Sequence, residues 1–331
     1  LVLDQDGIVV DSWGREGEGE GEFRNLLGLF LCGTETLVVR EFQRVSFFDN
    51  QGSFIRAVRI PDEVLKPFFG QVTPGVSSDC GRLLISSELG RWVSKSDAIG
   101  ELQVLVSWVS LTNGAVDTVG VFPDEERVEL KEPGNPKAVF PFNLNPSWAT
   151  DGDLAFWGRG DRPEIQVYDQ NGTIVRVIRW QARNDGITNE DWEAYETDKA
   201  RYLETSPEAE PFLVSRWSHP RPKFKPFFSG EPLGGGFYPG IRFDAEGNLW
   251  VRRHTIRSLL RDQSRDRPLR LAESWWVFDE EGRWLGTIET PGNFLIRYLG
   301  DSLIVGVSRT EADVERPVGY SIRKPESSRG G

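Results

Sequence analysis

The feature that most constrains the fold is an internal repeat, in which an apolar strand, a turn holding Asp or Asn with Gly, and a second alternating strand follow one another. It runs Val2-Leu3-Asp4-Gln5-Asp6-Gly7-Ile8-Val9-Val10 and returns as Phe47-Phe48-Asp49-Asn50-Gln51-Gly52-Ser53-Phe54-Ile55-Arg56. Two further clear copies are Val167-Tyr168-Asp169-Gln170-Asn171-Gly172-Thr173-Ile174-Val175-Arg176 and Val277-Phe278-Asp279-Glu280-Glu281-Gly282-Arg283-Trp284-Leu285-Gly286. A degenerate copy, Leu111-Thr112-Asn113-Gly114, lacks the Asp. A tight hairpin puts one residue at positive φ, where glycine escapes the Cβ clash, hence the glycines at 7, 52, 114, 172 and 282.

Upstream of most copies lies an inner hairpin, with turns near Gly33, Asp79-Cys80-Gly81, Asp151-Gly152, Asp244-Ala245-Glu246-Gly247 and Gly300-Asp301. Two hairpins make a four-stranded blade, and blades repeated around an axis leave only short, protected edges. The pattern predicts an all-β, six-bladed β-propeller forming a single domain over residues 1–331. Whole blades are expected at about 28–60, 75–122, 143–180 and 238–290, with part-blades at 1–14 and 293–325. The two ends could instead share one blade, giving five. Six is preferred because residue 1 enters in mid-motif, and the chain, which lacks methionine even at residue 1, reads as starting inside a longer precursor.

Two insertions interrupt the repeat. Residues 181–237 hold a helical stretch before the penultimate blade, which Thr188 or Asn189 can cap, with acidic residues in its first turn. A Pro-rich aromatic run, Trp217 to Phe228, follows it. The Arg-rich segment 254–273 interrupts the penultimate blade itself, and residues 326–331 read as a disordered tail.

Residues 13–23, a Gly-rich run ending in Gly21-Glu22-Phe23, resemble the linker between blades in NHL-type propellers, and Asn248-Leu249-Trp250-Val251 fits the same group. The chain as a whole is similar to six-bladed propeller proteins of environmental bacteria that carry a helical insertion before the fifth blade. That resemblance implies export to the periplasm or beyond, with membrane association through a partner or an anchor outside this chain. It implies little about activity, because propellers host unrelated functions.

Net charge is −12, which argues against nucleic acid as a partner. Charge is uneven, however: residues 211–270 carry 12 Lys/Arg against 5 Asp/Glu. No apolar run approaches the roughly 18 residues of a membrane helix. Cys32 and Cys80 precede glycines at inner turns of neighbouring blades. Adjacent blades splay apart, and a disulfide needs Cα atoms within about 4.4–6.8 Å. Two buried free thiols are therefore expected, with a bridge as the alternative.

No catalytic constellation, cofactor or metal site is expected. There is no Gly-x-Ser-x-Gly elbow, and Gly234-Gly235-Gly236 lacks the lysine and helix of a phosphate-binding loop. A metal-dependent hydrolase of lactonase or esterase type is the alternative, with Asp79, Asn143, Asn145 and Asp244 as recruitable channel ligands. His254 after Arg252-Arg253 would be the only opening for quinone chemistry. The preferred expectation is a non-catalytic scaffold that binds a protein, such as a subunit of a membrane complex. Its contact residues would be Trp192, Arg216, Trp217, His219, Arg221, Lys223 and Phe227, because interface cores enrich aromatics and arginine.

Overall fold

The structure, a computed structural model, describes residues 2–4, 8–33, 35–65, 72–94, 99–128, 138–139, 142, 144–184, 186–205, 207, 210, 225–228, 231–233, 236–238, 240–254, 272–310 and 314–322. Within them the chain is a β-propeller of consecutive antiparallel sheets. Three sheets have four strands each, in chain order, over Gly28–Arg59, Ser147–Arg179 and Ile241–Glu289. The second sheet has five, Val72–Val76 to Ala138–Val139. The last, Phe294–Leu299 to Glu315–Ser321, has three, and the first unit is the hairpin Val2–Leu3 with Val9–Asp11. The terminal hairpin and the last sheet are separate sheets among the described residues, so six units are present and the shared-blade arrangement is not formed.

Face-to-face packing explains the buried half of each alternating strand. The first strands of neighbouring sheets lie side by side through the Gly28–Cys32, Val72–Val76, Ser147–Asp151 and Ile241–Phe243 series. Between the first and second sheets Val38, Val45 and Phe47 meet Leu83, Ile85 and Val109. The next interface sets Val106, Trp108 and Phe122 against Trp148, Ala155 and Tyr168. Phe156, Ile165 and Val167 then face Ile241, Val251 and Phe278, and Trp250 and Trp275 face Phe294 and Ile296.

The expected turn chemistry is present. Gly52, Gly114, Gly172 and Gly282 have φ of 80°, 75°, 78° and 82°. Asp49 Oδ1 accepts the N–H groups of Gln51 and Ser53, and Asp169 Oδ1 those of Asn171 and Thr173. Where the Asp is missing, Ser110 Oγ and Asn113 Oδ1 take its place, accepting from Thr112, Asn113 and Ala115, and the turn lengthens by one residue. Outer-strand arginines then stitch neighbours together. Arg56 lies 3.8 Å over Phe47 and donates to Leu111 O of the next sheet at 2.8 Å, and Arg176 donates to Glu280 O in the same way.

The 13–23 linker is anchored at its two ends on the first sheet, while 14–16 and 18–20 are exposed. Trp13 and Phe23 pack on Phe48, with Arg15–Glu16 paired in parallel with Glu22–Phe23. Gly14, at φ 81°, has no room for a Cβ against the Phe23 ring. One expectation changes: the two cysteines are not free, and Cys32 and Cys80 form a disulfide with Cα atoms 5.9 Å apart. Splay between blades is least at the axis, where Cys32 closes the innermost strand of one sheet and Cys80 sits in the inner turn of the next. Cys80 itself takes the left-handed conformation, φ 56°, which a following glycine would ordinarily occupy.

Candidate functional site

Strand direction sorts the connections onto two rims. In a four-stranded antiparallel sheet the first-to-second and third-to-fourth turns fall at one edge. The second-to-third loop and the link to the next sheet fall at the other. Every tight Asp/Gly turn described above belongs to the first rim. The second rim receives the ends of the long strands Arg82–Ser94, Ile99–Ser110 and Val116–Val128, the described parts of the 181–237 insertion, and the end of Leu249–Arg252, after which the penultimate sheet is interrupted in sequence. Long connections built on a rigid scaffold are where binding residues concentrate, so this loop-bearing rim is the candidate site.

Its anchored part is built as follows. The helix Asn189–Thr205 is capped by Thr188, whose Oγ1 accepts the Asp191 N–H while Asp191 Oδ2 accepts the Thr188 N–H, a reciprocal box. Trp192 and Tyr195 lie on the inner side, with Trp192 edge-on to Phe142 at 5.0 Å. Burial, with Glu196 nearby, pushes the Tyr195 hydroxyl well above its ordinary pKa. Burial works to raise the Asp191 carboxyl, but Lys225 Nζ at 2.5 Å and the Thr188 N–H and hydroxyl hold it below its ordinary value. That ion pair ties the helix to residues 225–228, and Asn184 Nδ2 adds a bond to Lys225 O.

Residues 225–228 in turn bridge two blades. Phe227 N–H donates to Gly160 O of the third sheet, and His254 N–H donates to Phe227 O from the fourth. Phe228 pairs with Arg253 as an isolated bridge. Its ring, 0% exposed, enters the core between the sheets against Trp180, and Gly158 leaves the space that it fills. Arg253 stacks 5.2 Å over Trp276. Around this strap the rim is charged. Arg159 lies between Glu101 and Glu126 at 2.6 and 3.2 Å, and Arg252 meets Glu273 at 3.4 Å in the interior.

The sequence-predicted contact residues divide three ways. Trp192 is 2% exposed and is core to the insertion, so its ring is not an open contact. Phe227 is half-buried on the strap, packed against the core of the third and fourth sheets. Arg216, Trp217, His219, Arg221 and Lys223 lie outside the described residues, as do most of 254–273 and the tail 326–331. Lys225, another basic residue of the run, is engaged internally with Asp191. Phe228, an aromatic of the same run, is packed into the propeller core and is not open to a partner.

The alternative ligands sit elsewhere. Asp244 accepts from the Glu246 and Asn248 N–H groups, Asn248 Nδ2 and Trp250 Nε1, which occupies both of its oxygens. Asp79 accepts from the Ser77 hydroxyl and the Gly81 N–H, and these hold its carboxyl below the ordinary range. Both are on the tight-turn rim. Asn145 is buried, and Asn143 is outside the described residues. Among the described residues no three His, Cys, Asp or Glu side chains come together as a metal-binding group. None of the described helices is long and apolar enough to cross a membrane.

No protein-family model matches the chain. No curated protein matches it by sequence. Solved structures that align with the chain include a DUF4221-family member from Bacteroides vulgatus, at 12% identity over 92% of this chain and 81% of that one, TM-score 0.42. A candidate exported protein of Bacteroides fragilis gives 13% identity over 92% and 72%, TM-score 0.40. An oligogalacturonate lyase from Vibrio parahaemolyticus gives 11% over 92% and 66%, TM-score 0.37. At these identities and TM-scores the alignments say nothing of activity or partner.

Proposed function

We propose that the protein is an exported, non-catalytic propeller with NHL-like repeats that binds a protein partner through its loop-bearing rim, as an extrinsic subunit of a larger assembly. The observation that carries this reading is the strap at 225–228. It fixes the insertion to two blades at once through Phe228, the Gly160 and His254 bonds and the Asp191–Lys225 pair. Such fixing supplies a preorganised platform, and preorganisation lowers the ordering cost of association. The surplus of positive charge at 211–270 would steer an acidic partner surface toward it. The Cys32–Cys80 disulfide favours an oxidising compartment, in keeping with export.

The test is a triple charge reversal, Arg216→Glu, Arg221→Glu and Lys223→Glu, with co-purification from the native source quantified against wild type. Loss of the partner with an unchanged unfolding curve is expected. Undiminished co-purification would remove this surface from consideration, and the metal-dependent hydrolase alternative would then be pursued by metal analysis of the native protein and ester hydrolysis assays.

A further inference from the structure

The outer turn of the third sheet carries a three-residue pattern that its fold does not require. Asn171-Gly172-Thr173 has the form Asn-x-Ser/Thr with x other than proline, the acceptor pattern for an N-linked glycan in an exported chain. The other Asn-x-Ser/Thr of the sequence, Asn145-Pro146-Ser147, is blocked by its proline. It is also inaccessible, since Asn145 and Ser147 are both buried.

Turn stability does not account for the pattern. The cap is Asp169, whose Oδ1 accepts the N–H groups of Asn171 and Thr173 at 2.9 and 2.8 Å. Where this turn has Asn171 the equivalent turns have Gln51 and Glu281, and where it has Thr173 they have Ser53 and Arg283. Gly172, at φ 78°, is seated against Val119 O of the second sheet, where a Cβ would come within 2.1 Å. That contact pins the apex of the turn, and Asn171 and Thr173 on either side of it are exposed. The outer strand then begins with Ile174 and Val175, both exposed. A bulky, solubilising group on Asn171 would shield this apolar pair.

We propose that Asn171 is the acceptor of an N-linked oligosaccharide, added during export. This rests on the exported location in the reading above, and on neither its partner nor its rim. The donor class is an oligosaccharide joined through C1 of its first sugar to a polyprenyl diphosphate, presented by a membrane-bound oligosaccharyltransferase. Asn171 Nδ2 attacks C1, and the bond between C1 and the diphosphate oxygen breaks. Polyprenyl diphosphate leaves with the electron pair, and Nδ2 gives up one proton to a base of the transferase. Nothing is oxidised or reduced. Asn171 belongs to the tight-turn rim, so the glycan leaves the loop-bearing rim open to a partner.

Tandem mass spectrometry of the full protein isolated from its native source tests this on the tryptic peptide 160–176, whose sole asparagine is Asn171. The expected result is a mass increment of whole sugar residues, placed on Asn171 by fragmentation. Asn171→Gln and Thr173→Ala, each expressed in the same source, should abolish the increment, and Thr173→Ser should retain it. Asn171→Gln should leave partner co-purification undiminished, so the glycan and the partner surface are measured separately. An unmodified peptide from the native protein would overturn the proposal. So would a sugar borne on Thr173, or conversion of Asn171 to Asp by deamidation with no sugar attached. Fractionation of the same cells distinguishes the two failures: unmodified protein outside the cytoplasm removes the glycan alone, and unmodified protein inside it removes export as well.

Discussion

Replacing Phe228 by Ala tests whether the insertion is mounted on the propeller or merely lies on it. Phe228 is fully buried between the third and fourth sheets, touching the cluster that contains Phe156, Ile241, Val251 and Phe278. Removing a buried phenyl ring from a site that cannot collapse costs about 3–5 kcal/mol. Collapse is restricted here because the ring sits against two sheets pinned by their own ladders, and its backbone neighbours bond to Gly160 and His254. Phe227, adjacent but half-buried, should cost only about 1 kcal/mol when truncated. The assay is urea unfolding of both variants by tryptophan fluorescence, with hydrogen exchange across Asn189–Thr205. Phe228→Ala should lower the midpoint strongly and speed exchange in the helix, because the Asp191–Lys225 tie loses its footing. A Phe228→Ala stability within about 0.5 kcal/mol of wild type, or below the effect of Phe227→Ala, would refute the reasoning.

Two further outcomes follow from the repeat. Arg56→Ala removes a guanidinium that stacks on Phe47 and donates to Leu111 O across the blade junction, and should cost about 2 kcal/mol by equilibrium unfolding, Arg56→Lys less. Hydrogen bonds to the Asp79 carboxylate, from the Ser77 hydroxyl first and the Gly81 N–H next, hold its pKa below the ordinary value. Its folded value therefore lies under its unfolded one, so its contribution is present above about pH 4 and is lost as pH falls through the folded value. Asp79→Asn should be less stable than wild type at pH 7 in urea unfolding, and the gap should close in acid; a gap that persists at low pH would contradict this.

The fold was legible because its signals are local. A glycine that must take φ near 80° and an Asp that caps its own turn are written into four or five consecutive residues, so Asp49–Gly52 and Asp169–Gly172 announce the blades directly. The Thr188 cap was legible for the same reason. What was missed depends on distance across the fold. The Cys32–Cys80 pair joins residues 48 apart in sequence, and Cys80, rather than Gly81, takes the left-handed conformation. The five-stranded second sheet also escaped notice, because Val116–Val128 runs on through Pro123 and charged residues that resemble a loop. In the site, the aromatics of the insertion were visible as a group. Composition could not tell Trp192 and Phe228, which face inward, from side chains available to a partner.

The central claim is that the loop-bearing rim is where this propeller meets another protein. The most direct measurement is a structure of the protein isolated intact from its native source, with whatever remains bound. The account predicts a protein partner seated against the Asn189–Thr205 helix and the 225–228 strap. A partner on the opposite rim, against the turns of Gly52, Gly172 and Gly282, would contradict it. So would a metal or small molecule held in the central channel with the loop-bearing rim left bare.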